Sequence, residues 1–310
     1  MDYANPSVPA AISVEAPTAP VRPRPIAALQ TRCASCNVRN FCLPGGMNAR
    51  QIQQFDALVG MRRQVKAGDS LYEAGTPFNS LYAVRSGSFK SQVIRGDGTD
   101  QVTGFQMSGE IIGLDGIYHH RQTLSVVALE HSEVCVIPYA QLADLCERTP
   151  AMHHQVHRIM SREIIHQHEA MMQLSSFRAE QRVAAFLLRL SQRYLARGYA
   201  ASRFHMRMSR EDIGSYLGLT LETVSRAFSR FHRHGILSVQ NRFICILNVE
   251  HLKRLLGGTT EEPLGSAKSA SENGGAASIS AHRAESTLAL SPMEVPVKLS
   301  SKKRRVRCDP

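Results

Sequence analysis

The chain has 310 residues, 37 Lys and Arg against 26 Asp and Glu, a formal net charge of +11 and a hydrophobic fraction of 43%. That length can hold two domains with cores of their own, and no stretch approaches the roughly 18 unbroken apolar residues of a membrane helix. The first residues lack the basic-then-apolar pattern of an export signal. A cytoplasmic location is therefore expected, where the seven cysteines read as thiols or metal ligands rather than disulfides.

In chain order, residues 1–30 are rich in Pro, Ala and Val and are expected to be a disordered arm. Cys33, Cys36 and Cys42 follow with spacing C-x2-C-x5-C, in a loop ending Pro44-Gly45-Gly46. Asn48 is placed to cap a helix through about Val59, with Ile52, Phe55, Leu58 and Val59 on one face. Residues 61–138 read as β. Turn signals recur at Gly68-Asp69, Gly75, Ser86-Gly87, Gly96-Asp97-Gly98 and Gly113 to Gly116, between short runs at Ser80–Arg85, Phe89–Arg95, Gln101–Gln106, Leu124–Glu130 and Glu133–Pro138. Short strands at that spacing predict a roll or barrel. A helix over Tyr139–Glu147 closes a sensory unit of residues 31–150, stopping before Thr149-Pro150.

Residues 151–176 predict one long helix. Val156, Ile159, Met160, Ile164 and Met171 lie on an apolar stripe and are the candidate contacts with a second copy, packing within the monomer being the alternative. Residues 177–256 read as helix, turn, helix and a small hairpin. Residues 257–310 are rich in Gly, Ser and Ala and end in Lys302-Lys303-Arg304-Arg305-Val306-Arg307. They are expected to be a disordered basic tail.

Charge is placed unevenly. Residues 1–180 carry 16 basic and 16 acidic side chains, whereas residues 181–256 carry 13 and 4, a net +9. A short segment so basic is the footprint of a phosphate-backbone binder. Within it, Ser209 heads a weak capping box with Asp212, the first helix ends at Gly218, and Thr220 can cap a second helix. On that second helix Val224, Phe228 and Phe231 share one face. Glu222, Ser225, Arg226 and Ser229 share the opposite one, near the end that enters a major groove. Arg can grip guanine O6 and N7, Glu accepts from cytosine N4, and Ser serves base or phosphate. Ser209, Thr220 and Thr223 join the candidate DNA contacts. The alternation from Ile236 to Leu247 around Asn241 predicts a wing.

The cysteines predict a metal site. Four thiolates suit zinc and iron–sulfur centres alike, and spacing alone does not separate them. In the Glu133–Pro138 run, Val134 and Val136 point one way and Cys135 the other. If the valines face the core, Cys135 is turned toward whatever the N-terminal loop covers; alternatively it is a buried core cysteine. Cys146, Cys245 and Cys308 have simpler explanations in a helix face, a wing strand and the tail.

Taken together, C-A-S-C-N-V-R-N-F-C, S-L-Y-A-V-R-S-G-S-F-K-S, V-T-G-F, G-E-I-I-G-L-D, E-V-C-V-I-P and S-R-E-D-I-G-S-Y-L-G-L-T-L-E-T-V-S-R resemble the Crp/Fnr superfamily, specifically its Fnr-type oxygen-responsive regulators, over about residues 30–256. The resemblance implies an α+β chain with a cyclic-nucleotide-binding-like β-roll, a long dimerisation helix and a C-terminal winged helix-turn-helix. It implies a [4Fe–4S] cluster held by Cys33, Cys36, Cys42 and Cys135, converted under oxygen to a smaller form with weakening of the homodimer. It implies recognition of double-stranded DNA with inverted TTGAT-like half-sites through Glu222, Ser225 and Arg226. It also implies a contact with RNA polymerase through the loop Arg95, Gly96, Asp97, Gly98, Thr99 and Asp100. Asn37 departs from relatives that carry Ser after the second cysteine, and neighbours of the sulfurs tune a centre's reactivity.

Three other functions would use some of the same residues. A cyclic-nucleotide receptor would use Gly109-Glu110, yet Arg121-Gln122-Thr123 poorly approximates the R-[ST]-A phosphate motif and four placed cysteines would have no role. An enzyme or electron carrier finds no G-x-G-x-x-G, P-loop or G-x-S-x-G in the chain. A zinc-stapled regulator would share every feature except the identity of the metal.

Overall fold

The computed structural model describes residues 32–96 and 98–257. The expected arm, Asp97 and the expected tail beyond Gly257 lie outside the described residues. Two 3-10 turns, Cys33–Ser35 and Arg39–Phe41, lead into α1 (Ala49–Leu58). The Asn48 side chain accepts from the Gln51 amide and the Asn48 amide donates to Gln51 Oε1, a capping box that fixes where α1 starts.

The β region contains β1 (Met61–Val65), β2 (Ser70–Tyr72), β3 (Ser80–Ser86), β4 (Ser88–Ile94), β5 (Asp100–Met107), β6 (Ile111–Ile112), α2 (Gly116–His119), β7 (Ser125–Ala128) and β8 (Ser132–Pro138). They form two four-stranded sheets, ordered β1-β8-β3-β6 and β2-β7-β4-β5. The five expected runs are strands within one or two residues of their predicted ends. Strands β1, β2 and β6 are too short or too polar to stand out in the sequence.

Between the sheets lies a core of Val65, Leu71, Val84, Phe89, Ile112, Val126, Ala128 and Val134. The period of two puts the alternate residues of β3 and β8 (Leu81, Ala83, Cys135 and Ile137) on the outer face of the first sheet. There they pack with Ile52, Phe55 and Leu58 of α1 and with Leu142 and Leu145 of α3 (Tyr139–Arg148). Met152 and Ile159 of α4 (Pro150–Ser176) complete the cluster. Cys135 is thus turned away from Val134, as the alternation predicts, and the N-terminal loop covers it.

The long helix corrects one expectation. Ile159 is 5% exposed and belongs to this core, with Val156 packed against it. Those two residues bind the helix to the β-roll and α1 of its own chain. Met160 is half-buried, while Ile164 and Met171 are 55% and 62% exposed. The stripe is therefore split between an inner face and an outer one.

The C-terminal unit contains α5 (Ala179–Ala196), β9 (Arg203–His205), α6 (Arg210–Leu217), α7 (Leu221–Arg233), β10 (Leu237–Gln240), β11 (Phe243–Ile246) and α8 (Val249–Leu255). The hairpin predicted around Asn241 is β10–β11, with Asn241 at φ +55° in the turn, and β9 adds a third strand beside β11. Gly214 is required here, because a Cβ would stand 2.7 Å from the Leu219 carbonyl oxygen and force α6 from the turn. Val102, Phe105 and Met107 of β5 join this unit's hydrophobic core, so the roll and the C-terminal unit share apolar packing.

Candidate metal centre and nucleic-acid interface

All four predicted cysteines line one small cavity, together with Val38, Pro44, Phe55, Val59, Ala83 and Ile137. The loop folds to reach it by a run of 3-10 bonds. The Cys36 amide donates to the Cys33 carbonyl at 3.2 Å, and the Cys42 amide donates to the Arg39 carbonyl at 3.1 Å. The Cys33 amide is anchored on Asp56 Oδ1 of α1 at 2.5 Å. Cys135 arrives from β8, where it pairs with Arg62 on one side and Ala83 on the other.

Burial pushes the Cys33 thiol far up, and the Asp56 carboxylate adds to the effect. Burial raises Cys42 to about 12 against an opposing hydrogen bond from the Leu43 amide. Cys135 is raised to about 11 by burial, partly offset by Arg85 and Arg62. Without a cation these three thiols stay protonated at neutral pH; a bound metal supplies the charge that turns such thiols into thiolates. Among the described residues no group of three or more His, Cys, Asp or Glu is arranged to hold a metal ion. The sulfurs line a cavity rather than close on one point. An all-thiol donor set in a mostly apolar cavity, edged by Arg39 and Arg85, fits soft-metal centres, zinc or an iron–sulfur cluster, in preference to magnesium or calcium.

The cysteine loop touches both other parts of the chain. Gln155 Nε2 of α4 donates to the Cys42 carbonyl at 3.4 Å. Phe41 lies beneath the Arg197 guanidinium at the end of α5, 5.2 Å from ring centroid to carbon. Gly109 allows that approach: it sits at φ +90°, and a Cβ there would stand 2.6 Å from the Phe41 Cβ. Arg197 also donates to Glu110 Oε1 at 2.7 Å and to the Ser108 carbonyl at 2.7 Å, while Arg193 donates to Glu110 Oε2 at 2.6 Å and to the Phe105 carbonyl at 2.7 Å. Burial alone would raise the Glu110 carboxyl, but the two guanidinium groups outweigh it and hold the pKa at about 2. Lys90 of β4 adds an ion pair to Asp212 of α6 at 2.8 Å. Sequence reading did not single out the Glu110–Arg193–Arg197 knot. In the sequence Glu110 stands out only as part of Gly109-Glu110, and Arg193 and Arg197, a turn apart at the end of α5, look like any basic surface.

On α7, Val224, Ala227, Phe228 and Phe231 are buried, while Glu222, Arg226 and Ser229 are exposed and Ser225 is half-buried. The predicted reading face is thus presented outward. The Glu222 carboxyl is lowered by its own backbone amide, then by Thr220, with Arg226 a smaller contributor. Three predicted contacts have other work. Ser209 Oγ accepts from the Asp212 amide at 3.0 Å and donates to Asp212 Oδ2 at 2.8 Å, closing the capping box of α6. Thr220 Oγ1 accepts from the Thr223 amide at 3.2 Å and lies 3.0 Å from Thr223 Oγ1, capping α7. Arg210 stacks on Phe228 at 3.3 Å, and burial lowers it to about 10.

In the β4–β5 loop, Gly98 donates to the Arg95 carbonyl at 2.9 Å and Arg95 to that of Thr99 at 2.8 Å, closing a tight turn. Gln92 Nε2 donates to the Asp100 carboxylate at 2.9 Å, and Ser215 of α6 donates to the Asp100 carbonyl at 3.2 Å. Gly96 is exposed at the tip.

Residues 62–149 match the family described as cyclic nucleotide-binding domain, and residues 181–255 that described as Crp-like helix-turn-helix domain. The chain is 45% identical over 233 residues to the transcriptional regulatory protein btr of Bordetella pertussis, covering 75% of this chain and 96% of that one. It is 40% identical over 232 residues to the transcriptional activator protein anr of Pseudomonas aeruginosa, covering 75% and 95%. It is also 40% identical over 229 residues to the fumarate and nitrate reduction regulatory protein of Vibrio cholerae, covering 74% and 92%. Among solved structures, FixK2 from Bradyrhizobium japonicum superposes with a TM-score of 0.60 at 29% identity, over 64% of this chain and 98% of that chain.

Proposed function

The chain belongs to the Crp/Fnr family of DNA-binding transcription regulators, which are not enzymes, and from that premise we propose that it is an oxygen-sensing regulator of anaerobic gene expression. The observation that carries this reading is the meeting of Cys33, Cys36, Cys42 and Cys135 around one cavity. Relatives named for anaerobic regulation and for fumarate and nitrate reduction support it.

In this reading the four cysteines hold a [4Fe–4S] cluster. When bound, such a cluster supplies an oxygen-labile centre that ties the N-terminal loop to β8. The chain's own residues carry the consequence. With the loop held, Gln155 keeps its bond to the Cys42 carbonyl and the start of α4 stays fixed. Ile164 and Met171 then face a second copy, and the two α7 helices lie about 34 Å apart, one DNA turn, over inverted TTGAT-like half-sites. Glu222, Ser225 and Arg226 read base edges, and Thr220, Thr223 and Ser229 approach the backbone. The β4–β5 loop from Arg95 to Asp100 is the proposed RNA polymerase contact. No helix among the described residues is long and apolar enough to cross a membrane, in keeping with a cytoplasmic regulator.

Anaerobic purification followed by metal and acid-labile sulfide analysis tests the proposal. A brown protein with about four iron and four sulfide per chain is expected, with site-specific DNA binding that declines on exposure to air. A colourless protein holding zinc, whose DNA binding ignores air, would overturn it.

A further inference from the structure

Helix α4 carries His153, His154, His157, His166 and His168. His153 and His157 are exposed, one turn apart, with ring centroids 4.2 Å from each other. The i, i+4 spacing is the one by which two imidazoles on a helix face grip a single divalent ion, as in the H-E-x-x-H arrangement. One chain offers only these two ligands at this place, and no group of three among the described residues can hold a metal.

The position of the pair on the helix supplies the rest. Met152 and Ile159 point into the sensory core. At 3.6 residues per turn, positions 153, 157, 160, 164 and 171 fall on a stripe roughly a third of a turn away from that face. Their spacing of four, three, four and seven is the repeat of a paired-helix seam. Met160, Ile164 and Met171 are its apolar members, and His153 and His157 occupy its N-terminal end. In a two-fold parallel pair the seam residues of one copy meet the same residues of the other, so two histidine pairs face each other.

We propose that His153 and His157 of two copies form a four-imidazole site for a borderline divalent cation of the zinc, nickel or copper class. The inference rests on the dimer proposed above. Neutral imidazole favours these ions, and four such ligands complete a tetrahedral shell. Hard cations that need oxygen ligands are excluded by the donor set. His157 also borders a groove shared with Gly45, Gly46 and Met47 of the cysteine loop. A cation bridging the seam acts next to the element that the cysteine cage controls, yet through different ligands. Because it binds only the paired state, it tightens the dimer by mass action.

The test uses the full-length holoprotein under anaerobic conditions. Dimer dissociation is measured by sedimentation with and without added Zn2+, and retained zinc is counted after gel filtration while the cluster's visible spectrum is followed. One zinc per dimer and at least a tenfold tightening are expected, with the spectrum unchanged. A His153→Ala/His157→Ala variant should lose the zinc-dependent ratio. A His154→Ala variant, also exposed but off the stripe, should keep it. Both are alanine substitutions on an exposed helix surface, where folding is preserved. Each protein is its own zinc-free reference. A dimer that ignores zinc, or a double variant that responds like the wild type, overturns the site and leaves the dimer reading standing. A holoprotein that is monomeric without zinc overturns the dimer reading. If zinc then fails to pair it, the four-imidazole site falls too, and if pairing appears only with His153 and His157 intact, the site is upheld.

Discussion

Cys33, Cys36 and Cys42 meet Cys135 in a buried cavity, across about ninety residues of chain. Glu222, Ser225 and Arg226 sit on little more than one turn of α7 and face outward. The cage exists only once β8 has paired with β1 and β3 and the loop has closed over it, so its chemistry depends on long-range folding. The reading face exists as soon as the helix does and needs only Val224, Phe228 and Phe231 to seat it. Under the proposed function, loss of one of the four cysteines should therefore act globally, whereas loss of one of the α7 side chains should act at one base pair.

The largest expected effect tests that difference directly. Cys135→Ser should leave the anaerobic protein without iron or sulfide and lower its affinity for a two-half-site DNA by at least about 100-fold, since pairing two modules multiplies affinity by roughly 10² to 10⁴. Metal analysis and gel-shift titration on the same sample check it. Retention of oxygen-insensitive binding at wild-type affinity would uncouple the cage from the helix.

The knot between the two halves comes next. Glu110→Gln leaves Arg193 and Arg197 without their anion in a site only 21% exposed. Removing one partner of a buried pair costs about 3–5 kcal/mol, and partial solvent access favours the lower end here. Denaturant unfolding should register the loss. The carboxyl is depressed from 4.5 to about 2 in the folded chain. Its contribution is therefore complete above pH about 4.5 and is lost as pH falls from there toward 2. The wild type should lose stability through that window, and Glu110→Gln should lose less. Equal slopes would mean that Glu110 is not the group responsible.

On the reading face, Arg226→Ala should cost about 1–3 kcal/mol in specific binding and relax preference at one base position. A panel of half-site variants measures it. Uniform weakening across all sequences would make Arg226 a phosphate contact instead.

Parts of this architecture were legible in the sequence for a physical reason. Period two in Glu133–Pro138 separates Val134 from Cys135, and period 3.6 in α7 separates Val224 from Arg226, because each pattern is local. The stripe on α4 was half legible. Periodicity marks Ile159 and Ile164 alike as apolar, but only the folded chain reveals that α1, α3 and the first sheet already occupy the side where Ile159 lies. The pairing of Glu110 with Arg193 and Arg197 carried no local signal, because their meeting depends on how β5 and its following turn pack against α5. Strands β9 and β2 were missed because three residues are too few to display a period.

Ser209 and Thr220 show where residue chemistry misleads, since a hydroxyl near a recognition helix serves equally as a DNA contact or as a helix cap. The bonds from the Asp212 and Thr223 amides favour caps. Ser209→Ala should then cost about 1 kcal/mol of unfolding free energy, the usual price of an N-cap, with base preference unaltered. The same substitution read by DNA titration alone would show a small, sequence-independent loss from a loosened α6. A sequence-specific loss with no change in thermal stability would instead return Ser209 to the contact set. That outcome would make the reading surface span both helices of the motif rather than α7 alone.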